Sequence, residues 1–267
     1  MTDFERPVCL PVLALRGLCV FPQMLTHFDV GRKRSARAVE ESLKENQLIF
    51  LVTQRDTRVD DPKRTDLYEV GTVCVVKQVL RLPGENMRIL VEGQYRAQLL
   101  DLVQAEPYLF GRVLRLENAP CNHTLPRVQA LVREAQSLFE HFADLSQRNM
   151  QESLMEVSMS DDPGYIADYI AQGASFGYES KQKLLEQLHP VHRLDETVRL
   201  LAKELDIMQL ENEISEKVQQ SVDKGQRDYY LREQLHVIRD ELGEGDDEQD
   251  ADSYREKIRA LHLAPDT

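Results

Sequence analysis

A serine nucleophile is the first chemistry that the residue types of this sequence suggest. Residues Gly173 to Gly177 match the pattern Gly-x-Ser-x-Gly, with Ser175 at the centre. In hydrolases this pattern works when a strand enters a strained turn that raises the serine hydroxyl above a parallel sheet. Here residues 165–172 have helical spacing, and no apolar strand precedes the motif. The pattern favours a helix end and a loop. The alternative is a serine hydrolase that uses Ser175. Reaction with an active-site serine probe would identify it.

Possible metal ligands occur in three places, but none has the spacing of a metal site. His189 and His192 are two imidazoles that alone bind a metal weakly, so this stretch favours a turn. The acidic run 246–252 lacks the alternation and central glycine of a calcium loop and is typical of a solvated linker. The four cysteines form no Cys-x-x-Cys pair, and Cys121 has only His123 nearby. We expect reduced thiols, no disulfide and no zinc.

Motifs for phosphate binding and metal hydrolysis are missing from the sequence. It contains no Gly-x-x-x-x-Gly-Lys-Ser/Thr, no Gly-x-Gly-x-x-Gly and no His-Glu-x-x-His. We therefore expect no catalytic residue, no bound cofactor and no metal in this chain. By itself, the chain is predicted not to be an enzyme.

Composition points to a soluble protein of one large or two ordinary domains. The chain has 267 residues, of which 42% are hydrophobic and 30% charged. No apolar stretch approaches the ~20 residues that span a bilayer, and residues 1–6 have no signal or transit pattern, so we expect a cytoplasmic protein. The net charge of -13 disfavours nucleic acid as a partner. Arg32-Lys33-Arg34 is a local basic patch that we interpret as a solvated helix start.

Residues 1–118 have mainly the patterns of strands. We expect an antiparallel meander that curls into a small barrel or sandwich, with a helix inserted after a cap at Ser35. In this scheme Gly93 interrupts the chain between two strands. The predicted strands are Leu48–Val52, Leu67–Leu82, Met87–Val91, Tyr95–Val103 and Tyr108–Leu116.

Residues 119–190 have helical periodicity and predict a bundle. Helices are expected to begin near Pro126, Pro163 and Ser180, and Pro190 breaks the last of them. The stretch 191–243 then has apolar residues at steps of three and four, which is heptad spacing. It predicts a helix of roughly 49 residues, Leu194–Leu242, about 70 Å long.

The long helix has a weak point and is followed by a linker. Gly225 lies in a polar stretch, where a kink or register shift is expected. Residues 244–267 form an acidic, glycine-containing linker that ends in a short helix, which suggests that the natural protein continues.

Five blocks of residues carry a resemblance to a known family. The blocks are Leu10-Pro11-Val12-Leu13, Val20-Phe21-Pro22, Asp66-Leu67-Tyr68-Glu69-Val70-Gly71-Thr72-Val73, Leu90-Val91-Glu92-Gly93 and Arg227-Asp228-Tyr229-Tyr230-Leu231-Arg232-Glu233-Gln234-Leu235. They resemble the N-terminal region of Lon-type ATP-dependent proteases. The similarity covers nearly the whole chain and is closest in the long-helix block, which proteins carrying only the N-terminal Lon-like domain usually lack.

The resemblance implies an α+β fold: a mostly antiparallel, barrel-like domain, then a helical bundle with one very long C-terminal helix. It implies that the region selects unfolded or damaged proteins and helps to organise a homohexamer. An ATPase module of the AAA+ type, with ATP and magnesium, and a Ser-Lys protease domain would belong to the parent protein and not to this chain. A free-standing substrate-binding adaptor or scaffold is the alternative, and the length of the natural gene discriminates the two.

Recognition of misfolded clients needs accessible apolar surface, and one set of residues is a candidate for it. A second set is a candidate for contacts between subunits or domains. The predicted substrate-binding residues are Phe21, Pro22, Met24, Leu82, Pro83, Met87, Tyr229, Tyr230 and Leu231. The predicted oligomer or interdomain contacts are Leu231, Leu235, Ile238 and Leu242. Ordinary core packing for the Phe-Pro turn and inter-helix contact for Tyr229-Tyr230 are the alternatives.

Overall fold

The computed structural model describes residues 6–83, 86–146, 150–242 and 254–258. The chain divides into two compact units, Met1–Met208 and Gln209–Thr267. The predicted borders at residues 118 and 190 both fall inside the first unit. The linker predicted over residues 244–267 lies almost entirely outside the described residues. Within the described part of the chain, no helix is both long and apolar enough to cross a membrane.

The first unit contains a six-stranded sheet that closes on itself. The strands are β1 (Val8–Leu15), β2 (Leu25–Val30), β3 (Leu48–Thr53), β4 (Val70–Arg81), β5 (Met87–Gln104) and β6 (Leu109–Arg115). Their order is β2-β5-β4-β3-β1-β6, and an additional β5–β6 pairing closes the ring. The first half of β5 pairs with β2 and its second half with β6. Closure pairs β6 on both sides, with β1 and with β5, which removes an edge that an open sheet would expose.

The barrel confirms the predicted α+β class but differs from the predicted meander in two ways. Strand β1 pairs in parallel with β3, while the other pairings are antiparallel. Strand β5 is one strand of 18 residues, so the chain does not turn back at Gly93. The prediction that Gly93 separates two strands is wrong. Gly93 does not form a turn but allows another segment of the chain to pass close to β5.

Gly93 lies where the loop from Phe21 to Met24 crosses β5. Its N–H donates to the Met24 carbonyl oxygen (3.0 Å), and its own carbonyl oxygen accepts from the Gln23 N–H (2.8 Å). A Cβ atom at this position would lie 2.2 Å from the Phe21 carbonyl oxygen. Only glycine fits, because any side chain would push the loop away from the barrel.

Besides the helical residues 254–258, the described part of the chain has six α-helices. They are α1 (Lys33–Lys44), α2 (Pro126–Leu145), α3 (Gln151–Met159), α4 (Pro163–Gly173), α5 (Tyr178–Glu186) and α6 (Pro190–Leu242). Helices α2 and α4 begin at the predicted prolines. Helix α1 begins two residues before Ser35 and has no side-chain cap, so the predicted cap is wrong. Helix α6 is continuous, with Gly225 inside it, and α3 was not predicted.

Barrel and bundle share a hydrophobic core within the first unit. Cys19, Phe21 and Met24 from the barrel loop are buried in one cluster with residues of α2, α4, α5 and the first turns of α6. Two further clusters fill the barrel itself. The loop from Phe21 to Met24 therefore joins the barrel to the bundle through apolar contacts.

The structure predicts that Gly93→Ala lowers the free energy of unfolding by about 1–3 kcal/mol, the range for forcing a side chain into a packed site. Gly177→Ala is the matched control, because no heavy atom lies within 4 Å of a Cβ there. We expect it to cost about 1 kcal/mol or less. Urea unfolding followed by circular dichroism measures both. Equal losses in the two variants would contradict the close-approach explanation.

Candidate functional site

A cleft of about 490 Å³ lies between α1 and the hairpin that joins β4 to β5. We name it the hairpin cleft. It contains two of the predicted substrate-binding residues, the half-buried Leu82 and the buried Met87. A third, Pro83, follows Leu82 in the hairpin and is exposed. Its lining residues are Lys33, Ala36, Arg37, Glu40, Arg81, Leu82, Asn86 and Met87.

Local structure places these side chains together. In the hairpin, the Leu82 N–H donates to the Asn86 carbonyl oxygen (2.8 Å), which holds the two strand ends close. On α1, Lys33, Arg37 and Glu40 follow one another at four- and three-residue steps and so share one face. The opposite face of α1 is anchored on the barrel by buried side chains. The cleft therefore has the paired ends of β4 and β5 on one side and a helix face on the other.

The hairpin cleft has an apolar floor and a basic rim. Ala36, Leu82 and Met87 supply the apolar part. Among the described residues, its charged lining consists of three basic side chains and one acid, Glu40, which gives a formal charge of 3 − 1 = +2. The chain as a whole carries -13. This makes the cleft a local basic site on an acidic protein.

The basic triplet of the sequence is split between structural and exposed positions. Arg34 pairs with Glu106 (3.0 Å) and Asp61 (3.4 Å). Arg32 donates to the Gln54 side chain and is partly buried, and burial lowers its pKa. Only Lys33 lines the hairpin cleft. The interpretation as a solvated helix start therefore fails for Arg32, which is held by the barrel.

The loop from Phe21 to Met24 does not offer the accessible apolar surface that was expected. Phe21 is 0% exposed, Met24 is 5% exposed, and both lie in the core shared with the bundle. Pro22 is half-buried. The expectation is wrong for Phe21 and Met24 because the loop packs against Gly93 and the bundle. The alternative of core packing holds for this turn.

The other predicted residues lie on α6 in the second unit. Tyr229 and Tyr230 are 70% and 62% exposed. The oligomer candidates Leu231, Leu235, Ile238 and Leu242 are each at least half exposed. These four are spaced by four, three and four residues, so they form one stripe along the helix. The structure does not bring them together with the hairpin residues in one unit.

A buried ion network was missed by the sequence reasoning. The guanidinium of Arg96 on β5 donates to both carboxylate oxygens of Asp168 on α4 (2.6 and 2.9 Å) and to the Leu185 carbonyl oxygen (2.9 Å). Nε of Arg193 on α6 lies 3.0 Å from the same carboxylate. All three side chains are buried. The signal in the sequence that could have predicted this network is Asp168, a charged residue within the apolar pattern of α4.

The two arginines share one carboxylate, so the network carries an excess positive charge. Burial lowers the pKa of Arg193 to about 10, while Asp168 opposes that shift. Gly164 at the start of α4 makes room for this side chain, because a Cβ there would lie 2.8 Å from Nη2 of Arg193. The arrangement has the character of a structural connection between barrel and bundle and not of a catalytic site.

The remaining chemical candidates are placed without a catalytic neighbourhood. Ser175 follows α4 in a loop between two helices, which is not the strand-to-helix turn that a serine nucleophile needs. The rings of His189 and His192 stack with their centroids 4.2 Å apart. No cluster of three or more possible metal ligands occurs among the described residues. The acidic run 246–252 lies outside them.

Comparison with known proteins gives consistent matches. The family model described as ATP-dependent protease La (LON) substrate-binding domain matches residues 9–203. The Lon protease of Heliobacterium modesticaldum is 38% identical over 255 residues, which are 95% of this chain and 31% of that protein. Lon protease 1 of Thermus thermophilus is 42% identical over 253 residues, which are 92% of this chain and 31% of that protein. The chain thus spans about a third of the length of these relatives.

Two solved structures share the fold. The N-terminal domain of Mycobacterium avium complex Lon protease matches with a TM-score of 0.59 at 21% identity. The match covers 73% of the present chain and 98% of the Mycobacterium avium chain. A Lon N-terminal domain protein from Xanthomonas campestris has a TM-score of 0.52 at 15% identity, with the same two coverages. These two likenesses show the fold alone. The family model over residues 9–203 places the barrel and bundle in the class of protease substrate-binding domains. The chain belongs to the Lon protease family, and its matched part is the N-terminal substrate-binding domain.

The ion network predicts that Asp168→Asn lowers the free energy of unfolding by about 3–5 kcal/mol, because two buried guanidinium groups lose their counter-charge. Asp101→Asn is the control, since Asp101 pairs with Arg112 at the surface (2.8 Å, both half-exposed). We expect it to cost roughly 1 kcal/mol or less. Urea unfolding of both variants measures the difference. A loss for Asp168→Asn no larger than for Asp101→Asn would show that the network is dispensable.

Proposed function

We propose that this chain captures exposed segments of unfolded or damaged proteins for an ATP-dependent protease of the Lon type. The supporting observation is the hairpin cleft, an accessible site with apolar floor residues, within a domain whose family model is described as substrate-binding. An extended client segment can place an apolar side chain against Leu82 and Met87. Binding of this kind depends on exposed apolar groups and not on a fixed sequence.

We infer that hydrolysis of ATP and of peptide bonds takes place elsewhere in the whole protein. This chain has no phosphate-binding Gly-x-x-x-x-Gly-Lys-Ser/Thr sequence, and its relatives named Lon protease are about three times as long. In this proposal ATP and magnesium bind an AAA+ module, and a serine protease domain cuts the client. The cytoplasm is the proposed compartment. The lengths and names of the relatives do not favour a free-standing adaptor.

The client proposal predicts a specific loss of affinity for Leu82→Ser. Removing this lining side chain should weaken binding of a reduced, carboxymethylated client protein about tenfold, because contact with a large apolar side chain is lost. Leu80→Ser is the matched control: Leu80 lies near the end of β4, two residues before Leu82, is 53% exposed and does not line the cleft. Fluorescence anisotropy with a labelled client measures both affinities. Equal affinities of Leu82→Ser and wild type would exclude this cleft as the client site.

The exposed stripe on α6 supports a second proposal, self-association toward the homohexamer of the parent protein. The helix carries charged residues around an apolar stripe, and such a stripe is stabilised by pairing with another helix. None of the four stripe residues is buried: each is at least half exposed. We propose that copies of this chain pair through that stripe.

This proposal predicts that Leu235→Ser lowers self-association several-fold, because the stripe loses an apolar contact of roughly 1–2 kcal/mol. Val237→Ser is the matched control, since Val237 is as exposed as Leu235 (51% and 50%) but lies off the stripe. Size exclusion with light scattering over a concentration series measures the association of each variant. If both variants associate like the wild type, the stripe is not an interface.

A further inference from the structure

The charged rim of the hairpin cleft has a consequence for which client segments bind there. Among the described residues, Arg37 has no hydrogen-bond or ion-pair partner. Arg81 lies 3.5 Å from Glu40 in a weak, exposed pair. An exposed pair of this length contributes little, so Arg81 can exchange Glu40 for another carboxylate at small cost. Two guanidinium groups are thus available beside an apolar floor.

The electrostatics of the cleft are short-ranged. At physiological ionic strength the screening length is about 8 Å, so a carboxylate inside the cleft interacts mainly with the nearest charges. The described lining residues carry a formal charge of +2, whereas the whole chain carries -13. A basic segment would therefore be attracted by the protein as a whole but repelled at the cleft. An acidic segment would be repelled by the protein as a whole but attracted at the cleft. It forms favourable ion pairs only when it is in contact with the lining residues.

The geometry matches a segment in which an apolar residue neighbours a carboxylate. Ala36 on α1 and Leu82 and Met87 of the hairpin supply the apolar lining, while Arg37 comes from α1 and Arg81 from the end of β4. Arginine forms directional, charge-assisted hydrogen bonds with carboxylates, often through two N–H groups. A volume of about 490 Å³ accommodates a few side chains of an extended segment.

We propose that the hairpin cleft selects unfolded client segments in which an acidic residue lies next to a large apolar residue, and that Arg37 and Arg81 bind the carboxylate. This inference rests on the proposed client-binding function and adds a charge preference to it. The apolar floor supplies general affinity for unfolded chains. The two arginines add discrimination between acidic and neutral segments.

The test uses two labelled, unstructured peptides that differ only in charge. One contains Asp-Leu-Leu-Glu in a Gly/Ser background, and the other contains the amide counterpart Asn-Leu-Leu-Gln. The wild-type chain should bind the acidic peptide about tenfold more tightly, as expected for hydrogen bonds to a charged group. Arg37→Gln should remove most of that preference. Arg133→Gln, an exposed change of the same charge on α2, should preserve it.

A variant with the opposite expected sign makes the test stricter. Glu40→Gln removes the one acid among the described lining residues and releases Arg81, so it should tighten binding of the acidic peptide several-fold and leave the amide peptide unchanged. Thermal unfolding of each variant verifies that the fold is intact. All the substituted side chains are exposed, so we expect little change there.

The outcomes separate this inference from the function on which it rests. Equal binding of both peptides to the wild type, or an acidic preference that survives in Arg37→Gln, would overturn the inference and leave client binding standing. Failure to bind either peptide and a fully unfolded client would contradict the proposed function itself. Displacement of the acidic peptide by an oligodeoxythymidine at lower concentration would show that the cleft prefers phosphate and that the assigned occupant is wrong.

Discussion

One buried carboxylate, that of Asp168, holds the first unit together. It accepts hydrogen bonds from Arg96 of the barrel and lies against Arg193 of α6, so three elements distant in sequence meet at a single charge. Because a buried charge without a partner is costly, barrel and bundle cannot separate without exposing or orphaning these groups. The apolar packing of Phe21 and Met24 against the bundle supports the same junction. This connection makes the barrel and bundle one unit.

A firmly held barrel is what the hairpin cleft requires. A site that recognises unfolded chains must stay folded while its ligand does not, and its binding groups must be exposed without being unstable. Helix α1 meets this condition by burying Ala38 and Val39 and leaving Arg37 and Glu40 at the surface. The hairpin meets it through the backbone pairing of Leu82 with Asn86. Apolar groups that could have served binding at Phe21 and Met24 are instead used for cohesion of the fold.

Local patterns in the sequence predicted elements well and contacts poorly. The prolines at 126 and 163 marked helix starts because proline fits the first helical turn, and heptad spacing predicted most of α6. The parallel pairing of β1 with β3 could not be predicted, because strand order depends on the whole chain. The role of Gly93 was misjudged for the same reason: its neighbour, Phe21, is 72 positions away. The apolar residues of the hairpin were predicted from their residue types. Arg37 and Arg81 could not be assigned to the cleft from the sequence, because only the fold brings α1 next to the hairpin.

Client binding at the hairpin cleft is tested most directly by methyl NMR. The chain would be labelled at its methionine methyl groups and mixed with an unfolded client that carries a paramagnetic label. We expect the Met87 signal to broaden, while the Met24 signal in the core stays unchanged. Met155 and Met159, which are exposed on α3, report non-specific contact and should also stay sharp. Broadening of the α3 methionines without Met87 would contradict client binding at the hairpin cleft.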